Sequence, residues 1–233
     1  MILLVRTVLS SSLLIALPTP AAQSAAITGV TNVAPATFIF AIAAALFLAL
    51  IFRSTMSHIR GIATARIGTM RIRRALDKRS PDVLHDFILP GAYGGLKKID
   101  HAILTAGGVL CIQTNHCNGI VFGADDEPQW NNVDGVSRRR FLNPVIQNQS
   151  RTQAVQNIVP EVPVANLVVF TGSIDFPTPP PGNVLHVRDL DSYIAKFVFG
   201  PSRIKDWDAV WLTIKSAAMT DAATRRDLRA QTA

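Results

Sequence analysis

The stretch KKIDHAILTAGGVLCIQTN, residues 97–115, decides the fold class. Two short apolar runs, Lys97 to Leu104 and Gly108 to Thr114, are separated by a small-residue turn at Ala106-Gly107-Gly108, so they are expected to pair as antiparallel neighbours. A third run, Val83 to Leu89, precedes them across Pro90-Gly-Ala-Tyr-Gly-Gly and completes a meander. Upstream the period changes. Ile59, Ile62, Ala63, Ile67, Met70, Ala75 and Leu76 recur at three- and four-residue intervals, which predicts an amphipathic helix ending before Pro81. Downstream, the polar stretch Gly123 to Arg140 reads as a loop, and Asn143-Pro144 opens a helix that continues to about Val159. Asn166 to Thr171 and Asn183 to Val187 are two further strands, the first apolar enough to be central. Helices Asp191 to Phe199 and Ser202 to Ala218 and a charged last piece close the chain. This order specifies an α/β fold with a mixed sheet flanked by helices.

The chain has 233 residues, 23 Lys+Arg against 16 Asp+Glu, a net charge of +7, 48% hydrophobic residues and 17% charged ones. A soluble domain is usually about 25% charged, and the deficit is concentrated at one end. From Thr7 to Phe52 there is no charged residue. Residues 1–24 read as a signal-like segment or a first membrane segment, since Arg6, an apolar run and Ala22-Gln23-Ser24 have the order of a signal peptide. Residues 33–52 have the length and composition of a transmembrane helix. A basic juxtamembrane helix at 53–80, an α/β domain at 81–200 and a helical tail at 201–233 follow. Within 53–79, Arg53, Arg60, Arg66, Arg71, Arg73, Arg74, Lys78 and Arg79 stand against Asp77 alone, so this segment carries the whole net charge. By the positive-inside rule it belongs on the cytoplasmic side of an inner membrane.

Two basic clusters are candidate contacts for anionic partners: Arg66, Arg71, Arg73 and Arg74, which suit lipid headgroups or a nucleic-acid backbone, and Arg138, Arg139 and Arg140, which suit phosphate contacts or form a solvated loop. The composition excludes disorder, collagen-like repeats and a disulfide scaffold. Cys111 and Cys117 are the only cysteines and read as small core residues of a reducing compartment. Phosphate-binding glycine loops, zinc-ligand spacings and Ser-His-Asp arrangements are absent.

Ile99-Asp100-His101, the run through Gln113-Thr114-Asn115, then Gly119-Ile120, Trp130 and Asn143-Pro144 with Gln147 together resemble the nuclease-related domain family, NERD, over about residues 66–198. Gly68 to Leu76 resembles that family's first helix, and Asn166 to Phe170 its following buried strand. The resemblance implies a restriction-endonuclease-like fold, in which a helix Glu, a strand Asp and a Glu-x-Lys on the adjacent strand hold a divalent ion and activate water. Residue by residue, Asp100 matches the family Asp, while the Glu, Glu and Lys positions fall on Thr69, Gln113 and Asn115. The frame is kept and the charges are lost.

The expected function is therefore a membrane-anchored, catalytically degenerate NERD protein with no cofactor, serving as a nucleic-acid- or protein-binding module at the cytoplasmic membrane face. Its expected partners are the membrane, nucleic acid and other membrane-complex proteins. The alternatives are an active nuclease using Asp100 with Mg²⁺ and a structural subunit of a membrane complex. Other roles for the named residues are bland: Asp100 pairing with Lys97 or Lys98, His101 and His116 as satisfied polar residues, and Trp130 and Asn-Pro-x-x-Gln as packing and capping features.

Overall fold

The structure, a computed structural model, describes residues 35–198, 202 and 204–232. The signal-like segment at 1–24 lies outside the described residues, as do the first two residues of the expected 33–52 span. The chain divides into two compact units, Met1–Met56 and Ser57–Ala233. In the first, the described residues are the leading part of helix α1 (Pro35–Arg79). Within it, Phe38–Met56 is long and apolar enough to cross a membrane: 19 residues with mean hydropathy 2.2, none of that window buried. At 1.5 Å per residue this is about 28 Å, close to the thickness of a bilayer's hydrocarbon core.

The second unit is a mixed α/β fold of two sheets flanked by helices. Strands β1 (Val83–Pro90), β2 (Leu96–Thr105) and β3 (Gly108–His116) form the expected antiparallel meander, with His85 opposite His101 and His101 opposite Ile112. β7 (Val164–Thr171) runs parallel to β3, and β9 (Val184–His186) runs parallel to β7, giving the order β1-β2-β3-β7-β9. Leu167 to Phe170 in β7 are fully buried, in keeping with a strand paired on both sides.

Alternate residues of β3 serve opposite faces. Val109 and Cys111 pack against helix α2 (Pro144–Ile158) through Ala154 and Val155, and against helix α4 (Trp207–Ala217) through Trp211 and Ile214. Leu110 and Ile112 pack against Ile72 and Leu76 of α1 and against Leu190 and Ile194 of helix α3 (Leu190–Val198). Helix α5 (Ala222–Thr232) follows, and its Arg225 binds Asp86 on β1.

The expected loop at Gly123 to Arg140 is corrected. It contains β5 (Gln129–Asp134) and most of β6 (Ser137–Leu142), which join β4 (Gly119–Phe122) and β8 (Ile174–Asp175) in a second sheet ordered β6-β5-β4-β8. The hairpin turns at Gly135, whose φ of 57° suits the first central position of a two-residue turn. A small core justifies so polar a sheet: Trp130 is fully buried, stacked on Phe170 at 6.2 Å, with Phe141 edge-on at 6.3 Å.

Close approach of α1 to β7 depends on Gly68. A Cβ there would stand 2.7 Å from Thr171 Cβ, closer than packed carbons tolerate. Gly68→Val is expected to lower stability by about 1–3 kcal/mol in a denaturant melt, with part of the loss recovered when Thr171→Ala makes room. An unchanged midpoint would mean that the helix does not seat against β7.

Candidate functional site

The C-terminal half of β3 carries the candidate site. Gln113 and Asn115, two residues apart, share a face, and the Gln113 Nε2 group donates to Asn115 Oδ1 at 3.3 Å. Helix α2 supplies the rest. Gln147 Oε1 accepts from the same Gln113 Nε2 at 3.2 Å, and Arg151, one turn further on, donates from Nη1 to Gln113 Oε1 at 2.5 Å and from Nε to the Lys98 carbonyl at 2.8 Å. Asp100 on β2 adjoins this group, its Oδ2 accepting from the Thr114 backbone N–H at 3.0 Å.

Local sequence explains why α2 starts where it does. Pro144 occupies the first turn, and Asn143, fully buried, caps the helix through Oδ1, which accepts from Val145 N at 2.9 Å and Ile146 N at 3.4 Å. Its amide NH₂ reaches the carbonyls of Ala124, Asp125 and Glu127 at 3.1, 3.1 and 2.8 Å, fastening the segment before β5. Asn148, also fully buried, donates to Cys111 O and to Asn166 Oδ1, which fixes α2 against β3 and β7. Gln147 and Arg151 are thereby held over β3.

The structure brings Asp100, Gln113 and Asn115 together and leaves Thr69 out. Thr69 is exposed on α1, its hydroxyl donating to the Ala65 carbonyl at 3.1 Å. The proposed pairing of Asp100 with Lys97 or Lys98 is also corrected. Lys98 Nζ binds Asp86 Oδ1 at 2.9 Å, and Arg225 takes the other oxygen at 2.9 Å. Burial pushes the Asp86 carboxyl upward, but the bonds and charges of Lys98 and Arg225 outweigh it and hold the group below its ordinary range. Asp86 sits in β1 with φ of 54°, and that turn of the backbone presents its carboxylate to both cations.

The reading of His101 and His116 as satisfied residues holds for one ring nitrogen of each and fails for the other. His116 Nδ1 meets Thr171 Oγ1 at 3.0 Å, and Thr171 Oγ1 donates in turn to the Asn115 carbonyl at 3.4 Å. The Nε2 of His116 is buried without a partner. Burial lowers the pKa of His116. In His101, Nδ1 lies 2.7 Å from His85 Nδ1 and Nε2 is likewise buried without a partner.

Burial raises the Cys111 thiol to about 12 and the Cys117 thiol to about 11, so both are inert core residues. Arg139 draws the Cys117 value down, which marks its guanidinium as a neighbour. Arg138, Arg139 and Arg140 are exposed on β6, an edge strand, with Arg139 opposite Asn132. Arg139, Asn115 and Gln147 line one cleft of about 280 Å³. Arg66, Arg71, Arg73 and Arg74 are exposed on α1; Arg73 lies 3.9 Å from Asp77, while Arg71 lines a separate cleft beside Gly68 and His186.

A divalent ion does not fit these residues. Among the described residues no group of three or more His, Cys, Asp and Glu side chains could hold one, and the Gln113 oxygen on the Glu position is occupied by an arginine. Sequence reading missed Arg151. The available signal was its position one helical turn after Gln147 in Asn-Pro-x-x-Gln-x-x-x-Arg.

Comparison with known proteins agrees with this frame. An uncharacterized protein of Bacillus anthracis is 26% identical over 111 residues, which cover 45% of this chain and 51% of the relative. The chain thus spans about half the length of the curated relative it matches. No solved structure matches. Residues 64–171 match the family model for the nuclease-related domain, NERD.

Proposed function

We propose that this chain is a membrane-anchored NERD protein whose nuclease-like site is catalytically inactive and whose domain binds nucleic acid at the cytoplasmic face of the inner membrane. The observation that carries the reading is the state of Gln113. Its oxygen receives Arg151 and its NH₂ group is committed to Asn115 and Gln147, so the position given to a metal-binding carboxylate in the family holds a neutral amide tied to a cation. Losing one preorganised catalytic group commonly costs a factor of about 100 to 1,000, and here the Glu, Glu and Lys positions are all replaced. Asp100 remains, with one oxygen on the Thr114 N–H.

Retention at a membrane is supported by the apolar segment Phe38–Met56 and by the basic residues that follow it. Nucleic acid as the partner is supported by the exposed Arg66, Arg71 and Arg74 and by the β6 arginines, none of which has a carboxylate partner among the described residues.

The purified full chain, in a mild detergent, is expected to bind DNA with an affinity that falls with salt and to cleave neither DNA nor RNA with Mg²⁺ or Mn²⁺. Metal-dependent cleavage abolished by Asp100→Ala would overturn the inactive reading. Absence of any salt-dependent nucleic-acid binding would overturn the partner.

A further inference from the structure

The orientation of three amides in the cleft follows from one arginine. A guanidinium can only donate, so the Gln113 atom facing Arg151 Nη1 is its oxygen and the other is its NH₂. That NH₂ donates to both Asn115 and Gln147, so the atoms they turn toward Gln113 are oxygens. Their own NH₂ groups point elsewhere, and neither has a protein partner among the described residues. Both residues are half-buried and line the cleft that Arg139 enters from β6. Among the described residues no carboxylate lines this cleft. Its polar lining is two amide donors, one guanidinium and the ring of His116, whose unpartnered Nε2 is buried, beside an apolar wall that includes Phe141 and Phe170.

We propose that the cleft between β3, β6 and α2 is a metal-independent phosphate-binding site, in which Asn115, Gln147 and Arg139 donate to the oxygens of a phosphate ester. Where a nuclease sets carboxylates to bind a cation that in turn meets phosphate, this chain sets donors that meet phosphate directly. Charge-assisted bonds from a guanidinium to phosphate oxygens are the strongest of the set. The neutral amides add direction without a charge to be desolvated. Arg151 acts as a positioning residue: it does not line the cleft, but it fixes which way Gln113, and through it both amides, face. The inference rests on the phosphate-bearing partner proposed above and specifies how that partner is held. Two sources share the chemistry, the phosphodiester of a nucleic-acid strand and the phosphate of a free nucleotide.

The experiment measures binding of a short single-stranded oligodeoxynucleotide, adenosine monophosphate and inorganic phosphate to the full chain in detergent, with EDTA throughout. Binding of the oligonucleotide is expected to persist in EDTA. Arg139→Gln, on an exposed edge strand, and Gln147→Met, which keeps the side chain's length, should each weaken it about 10-fold or more. Asn115→Asp should weaken it further by placing a carboxylate against the phosphate.

Thermal melts of the three variants report whether the fold is intact, and Arg139→Gln keeps the test valid if the two half-buried variants are unstable. Mononucleotide or phosphate binding that responds to the same variants, with no oligonucleotide binding, supports the cleft and assigns it to the free ester while the nucleic-acid reading fails. Native-like oligonucleotide binding by Arg139→Gln and Gln147→Met overturns the cleft and leaves the nucleic-acid reading standing on α1. Binding that disappears in EDTA overturns metal independence.

Discussion

Asn143→Ala is expected to destabilise the domain by about 2–4 kcal/mol, although the side chain bonds none of the candidate site residues. The loss has two parts. Removing the N-cap acceptor leaves the Val145 and Ile146 N–H groups without their partner, which costs about 1 kcal/mol. Removing the NH₂ group strips the donor shared by the carbonyls of the exposed residues Ala124, Asp125 and Glu127, and these three bonds together contribute about 1–3 kcal/mol. Asn143→Ser separates the two parts, because serine caps a helix but cannot reach back to the loop; it should recover about 1 kcal/mol. Asn143→Asp keeps the cap and turns a carboxylate toward three carbonyl oxygens, so it should be no better than alanine. For a chain of this size the alanine variant should lower the melting temperature by roughly 10 °C. A loss below about 1 kcal/mol would mean that the loop finds water or another donor, and that Asn143 is a cap and no more.

The same residue shows what the sequence could and could not say about this fold. Asn143-Pro144 announces a helix start because capping and the proline first turn are local chemistry, whereas the loop that Asn143 fastens is set by tertiary contact. The meander was legible for a similar reason: apolar runs broken by Gly-rich turns leave few other pairings for β1, β2 and β3. The second sheet was not. QWNNVD and SRRRFL have the composition of a loop, and their burial rests on Trp130 meeting Phe170 from a strand about forty residues away. Only Asp134-Gly135 signalled the hairpin.

In the candidate site, Gln113 and Asn115 were legible because they resemble the family's Glu-x-Lys strand, and strand period puts two such residues side by side. Thr69 was placed by the resemblance of Gly68 to Leu76 to the family's first helix, and such a likeness cannot tell whether a helical residue reaches over the end of a sheet; this one is exposed and bonds its own helix. Arg151 was hidden because an arginine on a mid-helix turn is ordinarily a solvated charge, and its contact with Gln113 exists only once α2 lies on β3.

The second large effect is acid sensitivity, and it comes from a buried histidine. His101 is 2% exposed on β2, flanked by His85, whose Nε2 bonds Asp77 Oδ1 at 2.8 Å. Burial first, then the positive charges of His85 and Arg73, lower its pKa from 6.5 to about 3, against smaller opposing effects of Asp77 and Asp86. A histidine whose folded value is depressed binds its proton more readily in the unfolded chain. The stability it contributes is therefore complete above pH 6.5 and is lost as pH falls toward 3. By pH 4.5 the loss should reach about 3 kcal/mol. His116, whose pKa burial also lowers, adds to the loss with the same sign. The Asp86 and Asp221 carboxyls, held below their ordinary value, contribute only at more acid pH. Denaturant melts of the full chain at pH 7.5 and 4.5 measure the difference, and His101→Phe, which keeps a ring but cannot titrate, should remove most of it. Equal stability at the two pH values would show that His101 accepts a proton in the folded state at no cost, through the His85–Asp77 pair beside it.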